Sequence, residues 1–329
     1  MMGGAFGRRL DVDSIEQAAQ IAKSLSYPVK LVWSREEDIT HDLFRPAYTD
    51  VLSAGLDADG HIVGWTHKTT GSSVMARWLP PGMKGELDPD AVEAAEKPPY
   101  DLPAIHVSYV RQEPPGLITA WWRGVGPTHN VFMVETFIDE CAAAAGKDPV
   151  EYRRALLQKN PRALAVLDLA AEKSGWGSKL PASRGRGVSV QYAFSSFVAH
   201  VAEVEVSRQG EIRVVRCTAA IDCGQRINPD TVAAQIEGGL IFGLGTALYS
   251  QITIEKGHIQ QSNFNNYRMM RINEAPLIDV HQIDSHAEPG GVGETGTAAA
   301  AAALGNAIYA ATGKRLRSLP FGQGALQSS

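Results

Sequence analysis

Between Thr297 and Thr312, nine of sixteen residues are alanine, six of them in one run from Ala298 to Ala303. Alanine is the strongest helix former and offers little to a pleated face, so this stretch is expected to be a helix. Gly313 closes it, with Lys314 and Arg315 beyond. Directly before it stands Gly290-Gly291-Val292-Gly293-Glu294, a tight backbone that brings one carboxylate to the start of a long helix. A helix N-terminus leaves several N–H groups free and favours an anion. Such a place can hold a reactive glutamate beside an anionic ligand group, or simply an acid serving the first turn. Spacing leaves both readings open.

Two other segments carry similar ambiguity. In Gly3-Gly4-Ala5-Phe6-Gly7-Arg8-Arg9 a nearly side-chain-free backbone would let a ligand approach main-chain N–H groups, with arginines to offset phosphate charge. The bland alternative is a frayed terminus with a basic pair. Trp121-Trp122-Arg123-Gly124-Val125-Gly126-Pro127-Thr128-His129 sets an arginine before a helix; it could serve a site or stack on tryptophan. Two glycine patterns are decoys. Gly291–Thr297 has P-loop spacing but no lysine, and Gly238–Gly245 lies inside a helix, where small residues mean close packing.

Elsewhere the chain mixes strands and helices. Ser14–Ser26 has helical apolar spacing (Ile15, Ala18, Ala19, Ala22, Leu25) and precedes a strand-like Val29–Trp33. Asp57-Ala58-Asp59-Gly60 is expected to turn a hairpin, and the Pro/Gly-rich stretch 79–103 to form a surface excursion. Helices are predicted over 128–145, from the cap Asp148-Pro149-Val150-Glu151, over 161–173 and over 230–249. Ser183–Gly187 reads as a polar linker. An alternating stretch 188–206 then turns at Arg208–Glu211 and returns through 212–215, and a second hairpin turns at Lys256-Gly257. The fold class is α+β, in two lobes at 1–174 and 175–329. A length of 329 residues suffices for two cores.

Composition narrows the function. A net charge of −5 gives no reason to expect a nucleic-acid partner. Cys141, Cys217 and Cys223 form no CxxC pair, and Cys217 and Cys223, in an apolar region, read as buried structural thiols, so no iron–sulfur cluster is expected on this chain. No apolar run is expected to span a bilayer. No signal-peptide apolar region follows Met1, and the compartment is left open.

In their order, the segments resemble the molybdopterin-binding subunit of the xanthine dehydrogenase and aldehyde oxidase family, in its isoquinoline 1-oxidoreductase beta-subunit and bacterial aldehyde dehydrogenase branch. The resemblance rests on GGAFGRR at 3–9, WWRGVGPTHNVFMVETFIDE at 121–140, DPVEYRRALL at 148–157, SGWG at 174–177 and VAEVEV at 201–206. It continues through IDCGQRINPDTVAAQIEGGLIFGLGTALY at 221–249, NFNNYRMMRINEAP at 263–276 and PGGVGETGTAAAAAALGNAIYAATGKRLRSLP at 289–320. It implies the two-lobed molybdopterin-binding fold of molybdenum hydroxylases, incomplete at its N-terminus. It also implies hydroxylation of aldehydes or N-heterocycles with water as oxygen source, Glu294 acting as base. By the same resemblance, Gly3, Gly4, Ala5, Phe6, Gly7 and Arg8 would approach the cofactor, with Arg123 and Gly124 in the arginine loop and Gly291, Val292 and Gly293 beside the acid. No side chain would ligate the metal; molybdenum would be held by the pterin dithiolene of a molybdopterin cytosine dinucleotide.

The implied partners are a polypeptide supplying the missing N-terminal half, a 2Fe-2S small subunit, and optionally a cytochrome or FAD acceptor subunit. Departures from the family pattern matter. Ala5 replaces a glycine, Thr295 stands where a proline often follows the acid, and Leu10 occupies the place of a substrate-binding glutamate in purine oxidisers. The leucine argues against xanthine, because a buried purine needs polar partners. A glutamine-containing MGQG-type cofactor segment, upstream in full subunits, has no counterpart here. The chain is therefore expected to be a split subunit or a fragment, the alternative function being a catalytically silent or assembly module.

Overall fold

The computed structural model describes residues 4–322 and 325–326. It opens with α1 (Asp13–Lys23) and α2 (Arg35–Thr40), then β1 (Tyr48–Leu56) and β2 (Ile62–Gly71). Next come α3 (Val74–Trp78), α4 (Pro89–Val92), β3 (Ile105–Arg111), α5 (Val125–Ala144), α6 (Pro149–Leu156) and α7 (Pro161–Ser174). The rest comprises β4 (Arg184–Ala193), β5 (Ser196–Val206), β6 (Ile212–Asp222), α8 (Pro229–Leu248), β7 (Ile254–Glu255) and β8 (His258–Ile259). The last elements are β9 (Leu277–Gln282), α9 (Thr295–Ala298) and α10 (Ala300–Thr312). This is an α+β fold.

Local chemistry explains most helix ends. Asp148 accepts hydrogen bonds from the N–H groups of Val150 and Glu151, with Pro149 in the first turn of α6. Asn228 caps α8 through the Thr231 N–H, and Asn160 caps α7 through Ala163. Gly313, at φ 72°, closes α10 in the left-handed region.

Strands β1–β2–β3 form one sheet, antiparallel then parallel, and β4–β5–β6–β9 the other, with β6 and β9 parallel. On the second sheet, Val198, Ala202, Val204, Cys217 and Ile221 pack against α8 and α10. The opposite face (Val188, Val190, Ala199, Val201) meets α7, α5 and Trp65 of β2. With both faces covered, β5 is buried from Ser196 to Ala202 instead of alternating.

Four expectations need correction. The stretch 188–206 is two strands, because Phe194 and Ser195 take positive φ (55° and 61°) and turn the chain back. Ser183–Gly187 is no linker: Arg184–Gly187 begins β4, and its glycines admit α10. A Cβ on Gly187 would lie 2.0 Å from the Ala307 nitrogen, and one on Gly185 would lie 2.4 Å from that of Ala311. The backbone of α10 thus lies directly against the bare backbone of the β4 glycines. The 79–103 stretch dives inward, burying Ala91, Val92, Ala95 and Tyr100. Val29–Trp33 forms no strand, and no other strand runs beside it among the described residues.

All three cysteines are buried thiols, and burial pushes Cys217 up to about 12. By length and apolar composition α8 could cross a membrane, contrary to expectation, yet half of it is buried in the core through residues such as Ile236, Leu240 and Leu244.

Candidate functional site

The three glycine-bearing segments meet. The Phe6 carbonyl accepts the Arg123 N–H at 2.8 Å, and a Cβ on Gly7 would lie 2.7 Å from the Trp121 carbonyl oxygen. Arg123 Nε donates to the Gly293 carbonyl at 2.6 Å, and its Nη2 donates to Gln235 Oε1 at 3.1 Å and to the Gln235 carbonyl at 3.2 Å. The Gly124 N–H donates to Glu294 Oε1 at 2.8 Å. Segments 117 and 170 residues apart are thereby fixed to one another, as the hydrogen bonds Phe6–Arg123 and Gly124–Glu294 span those separations.

These contacts bear on the bland alternatives. Glu294 precedes α9 without its side chain capping the helix; the carboxylate instead crosses to the arginine loop. Arg123 does not stack on tryptophan. Its guanidinium lies 6.0 Å from the Phe6 ring, which stacks on Phe242 of α8 at 5.5 Å. Trp121 instead donates through Nε1 to Asp90 Oδ2 at 2.7 Å. The first loop is tied down at Phe6 and at Arg8, which pairs bidentately with Asp13 and also bonds Asp42. Arg8 is therefore spent inside the protein, and only its backbone is left for a ligand. Gly3 lies outside the described residues.

Both loops hold non-glycine residues in the left-handed region, Phe6 at φ 51° and Val125 at φ 41°. For β-branched Val125 this is a strained conformation, of the kind that surrounding structure must enforce. Gly124 (φ 93°) and Gly126 make the loop possible: a Cβ on Gly126 would lie 1.7 Å from the Asp90 carbonyl oxygen.

The geometry suits an anionic, backbone-bound group. The N–H groups of Ala5, Phe6 and Gly7 take no hydrogen bond among the described residues, and neither do those of Val292, Gly293 and Glu294. Gly4, Ala5, Gly291 and Gly293 are exposed, and a Cβ on Gly293 would meet only Gln235 Oε1, at 3.9 Å. Two sets of free donors thus flank Arg123, as a phosphate-bearing or dithiolene-bearing cofactor would need.

Charged residues that sequence reasoning missed complete the site. Arg45 donates from Nη2 to the Arg123 carbonyl at 2.9 Å and has no carboxylate partner among the described residues. Burial pushes it down to about 10, opposed by Tyr267 and Glu294. It lines a half-enclosed cavity with Tyr48, Asp88, Asp90, Trp121 and His129. Burial also lowers Arg123, against the pull of Glu294. His129, stacked on Tyr48 at 3.7 Å, is held near 4 by burial and is neutral at pH 7. Nothing in the sequence around Arg45 marks it. Gln235 and Phe242 were findable, as a polar and an aromatic residue two turns apart on one face of an apolar helix.

Glu93, near this loop, is pushed from its ordinary 4.5 up to about 7 by burial, then by Asp90 and Glu294. The folded chain therefore keeps a proton between pH 4.5 and 7 that the unfolded chain releases, so this residue lowers stability as pH rises through that window. Glu93→Gln should raise stability at pH 8 by on the order of 1–2 kcal/mol, allowing for solvent screening, and leave it unchanged at pH 4. Equal melting shifts at both pH values would contradict this.

Comparisons with known proteins agree with the geometry. Two family models, each described as a molybdopterin cofactor-binding domain, match residues 1–157 and 138–276. The beta subunit of isoquinoline 1-oxidoreductase from Brevundimonas diminuta is 33% identical over 98% of this chain and 42% of its own length. A nicotinate dehydrogenase subunit from Pseudomonas putida is 31% identical over 97% of this chain and 29% of its own. The chain thus spans less than half the length of either relative. Quinoline 2-oxidoreductase from Pseudomonas putida 86 superposes with a TM-score of 0.87, covering 100% of this chain and 68% of that one at 14% identity. At that identity the likeness is one of fold.

Proposed function

Since the chain belongs to the molybdopterin-binding subunits of the xanthine dehydrogenase and aldehyde oxidase family, we propose that it is the part of a molybdenum hydroxylase that carries the catalytic base, Glu294. The reaction converts a C–H group and water into C–OH, releasing two protons and two electrons. The bound cofactor would supply the two-electron acceptor and the activated oxygen. Glu294 presents one carboxylate oxygen to the Gly124 N–H, which fixes its direction and leaves the other oxygen to take a proton. Arg123 clamps the Gly293 carbonyl and so holds the acid's loop against the Phe6 loop. The free N–H groups at Ala5–Gly7 and Val292–Glu294 would bind the cofactor's anionic groups, with the exposed Gly4 and Gly291 beside them and Gly124 making the left-handed turn that aims its N–H at Glu294.

The observation that carries this reading is the convergence of Phe6, Arg123 and Glu294, joined by the bonds from the Arg123 N–H to the Phe6 carbonyl, from Arg123 Nε to the Gly293 carbonyl and from the Gly124 N–H to the Glu294 carboxylate. The substrate class is aldehydes or N-heterocyclic aromatics; the two relatives named above carry N-heterocycles in their names. The cytosine dinucleotide form of the cofactor, a 2Fe-2S partner to remove the electrons, a further protein to accept them, and the division into lobes at 174/175 are parts of the same proposal. A catalytically silent module of the same fold is the second reading.

Metal and nucleotide analysis of the chain, co-expressed with the remainder of its subunit and a 2Fe-2S protein from its own genome, separates the two readings. The hydroxylase reading expects molybdenum and cytidine monophosphate released in equal amounts, close to one per chain. Neither in a folded complex would support the silent module.

A further inference from the structure

The β4–β5 hairpin grips the acid's segment on both sides of Glu294. Before the acid, the Gly291 N–H donates to the Phe194 carbonyl at 2.7 Å, and Ser196 Oγ donates to the Gly291 carbonyl at 2.8 Å. After it, Gln191 Nε2 donates to the Thr295 carbonyl at 2.5 Å. Gln191 lies on β4 just before its end at Ala193, Phe194 lies in the turn, and Ser196 begins β5. Between the two grips stand Val292, Gly293 and Glu294, with Arg123 Nε holding the Gly293 carbonyl in the middle.

Packing alone does not account for a glutamine at this place. Gln191 and Thr295 are both buried, beside a sheet face whose other contacts with α8 and α10 are mostly apolar. Gln191 Oε1 takes no hydrogen bond among the described residues, so the Thr295 carbonyl is the side chain's single partner. A buried amide oxygen left unpaired costs stability that a methionine of similar size would not. Ser189, on the same face of β4, makes a bond of the same kind, from Oγ to the Ala299 carbonyl at 2.8 Å. That carbonyl lies at the far end of α9, whereas Thr295 directly follows the acid.

We propose that Gln191 is a positioning residue for Glu294: by holding the Thr295 carbonyl, its carboxamide keeps the acid's carboxylate on the Gly124 N–H and so aimed at the reacting group. The proposal rests on the functional reading above, in which Glu294 is the base. Gln191 touches neither substrate nor cofactor; it acts through the backbone. With this grip released, the segment would be pinned before the acid and free after it, and Glu294 could swing about Gly291. A shift of about 1 Å in a catalytic group is enough to cost about a hundredfold in rate.

The test compares Gln191→Met with Ser189→Ala in the loaded, co-expressed complex. Methionine matches glutamine in length and keeps the site filled, but it has no donor for the Thr295 carbonyl. Gln191→Met should lower kcat by about 10–100-fold while KM and molybdenum content stay as in the parent. Amide exchange supplies a readout apart from turnover. The Gly124 N–H, bonded to Glu294 Oε1, should exchange about tenfold faster in Gln191→Met, while the Arg123 N–H, bonded to the Phe6 carbonyl, keeps its rate. Ser189→Ala loses a buried hydrogen bond of the same kind and should change neither kcat nor the Gly124 rate. Equal losses of kcat in the two variants would reduce Gln191 to a structural part and overturn the proposal. So would a Gln191→Met complex that fails to assemble or to hold molybdenum. Unchanged kcat and unchanged Gly124 exchange in Gln191→Met would remove the proposal and leave the functional reading standing. Full activity of Glu294→Gln would remove that reading, and the proposal with it.

Discussion

Glu294→Gln should reduce turnover of the loaded complex by about 10²–10⁴-fold while leaving its molybdenum and dinucleotide content unchanged. Glutamine keeps the shape of glutamate, and its carbonyl oxygen can still accept from the Gly124 N–H. What it loses is the ability to take a proton. The donors proposed to hold the cofactor are backbone groups at Ala5–Gly7 and Val292–Glu294, which the substitution does not touch. Loss of activity together with loss of cofactor would point to a structural part for Glu294, and a variant retaining more than a tenth of wild-type turnover would remove it as base. Steady-state rates paired with metal analysis on the same sample decide between these outcomes.

The largest expected effect on stability lies far from any ligand. Arg153→Met should destabilise the chain by about 3–5 kcal/mol, the usual result of removing one partner from a buried ion pair. Arg153 is fully buried and donates to Glu135 Oε2 at 3.0 Å, to the Glu135 carbonyl at 2.8 Å and to Asp139 Oδ1 at 3.3 Å. Glu135 also accepts from Tyr100 and from the Val190 N–H. Burial works most strongly against the Arg153 charge, but Glu135, Tyr100 and Asp139 together outweigh it and keep the guanidinium protonated. For Glu135 burial wins, and its carboxyl is raised. Met at 153 would strand Glu135, whereas Asp139 would still have Arg315 at 2.7 Å. The double variant Arg153→Met/Glu135→Gln should therefore recover part of the loss in denaturant unfolding. If the single variant melts like the parent, the network is not what joins α5, α6 and β4.

Which parts of this molecule were legible in its sequence follows from the range of the forces involved. Caps such as Asp148-Pro149 and stops such as Gly313 act within a turn, and they appear where expected. The glycines at 185 and 187 resemble a linker until α10 is seen pressed upon them, a contact over a hundred residues away. Proline and glycine in 79–103 suggested a surface excursion, but Ala91, Val92 and Ala95 are core residues that no local pattern reveals. At the site, the segments around Phe6, Arg123 and Glu294 were visible through their glycines. Arg45 and Glu93 were not, and Gln235 was legible only as a polar residue on an apolar helix, since their places at the site come from tertiary folding: Arg45 lies 78 residues from the loop it supports, and Gln235 lies 112 from Arg123.

The seam between β4 and α10 has a bearing on tolerance to mutation. With bare backbone facing helix backbone at Gly187 and Gly185, there is no compliant side chain to absorb a shift, so helix and sheet behave as one rigid plate. The carboxylate at 294 sits at the leading edge of that plate, immediately before α9. The segment that carries it is thus registered against the central sheet, and the Gly124 N–H of the arginine loop sets the carboxylate's direction within that frame. Changes in the outer surface can alter what enters the site without moving this frame.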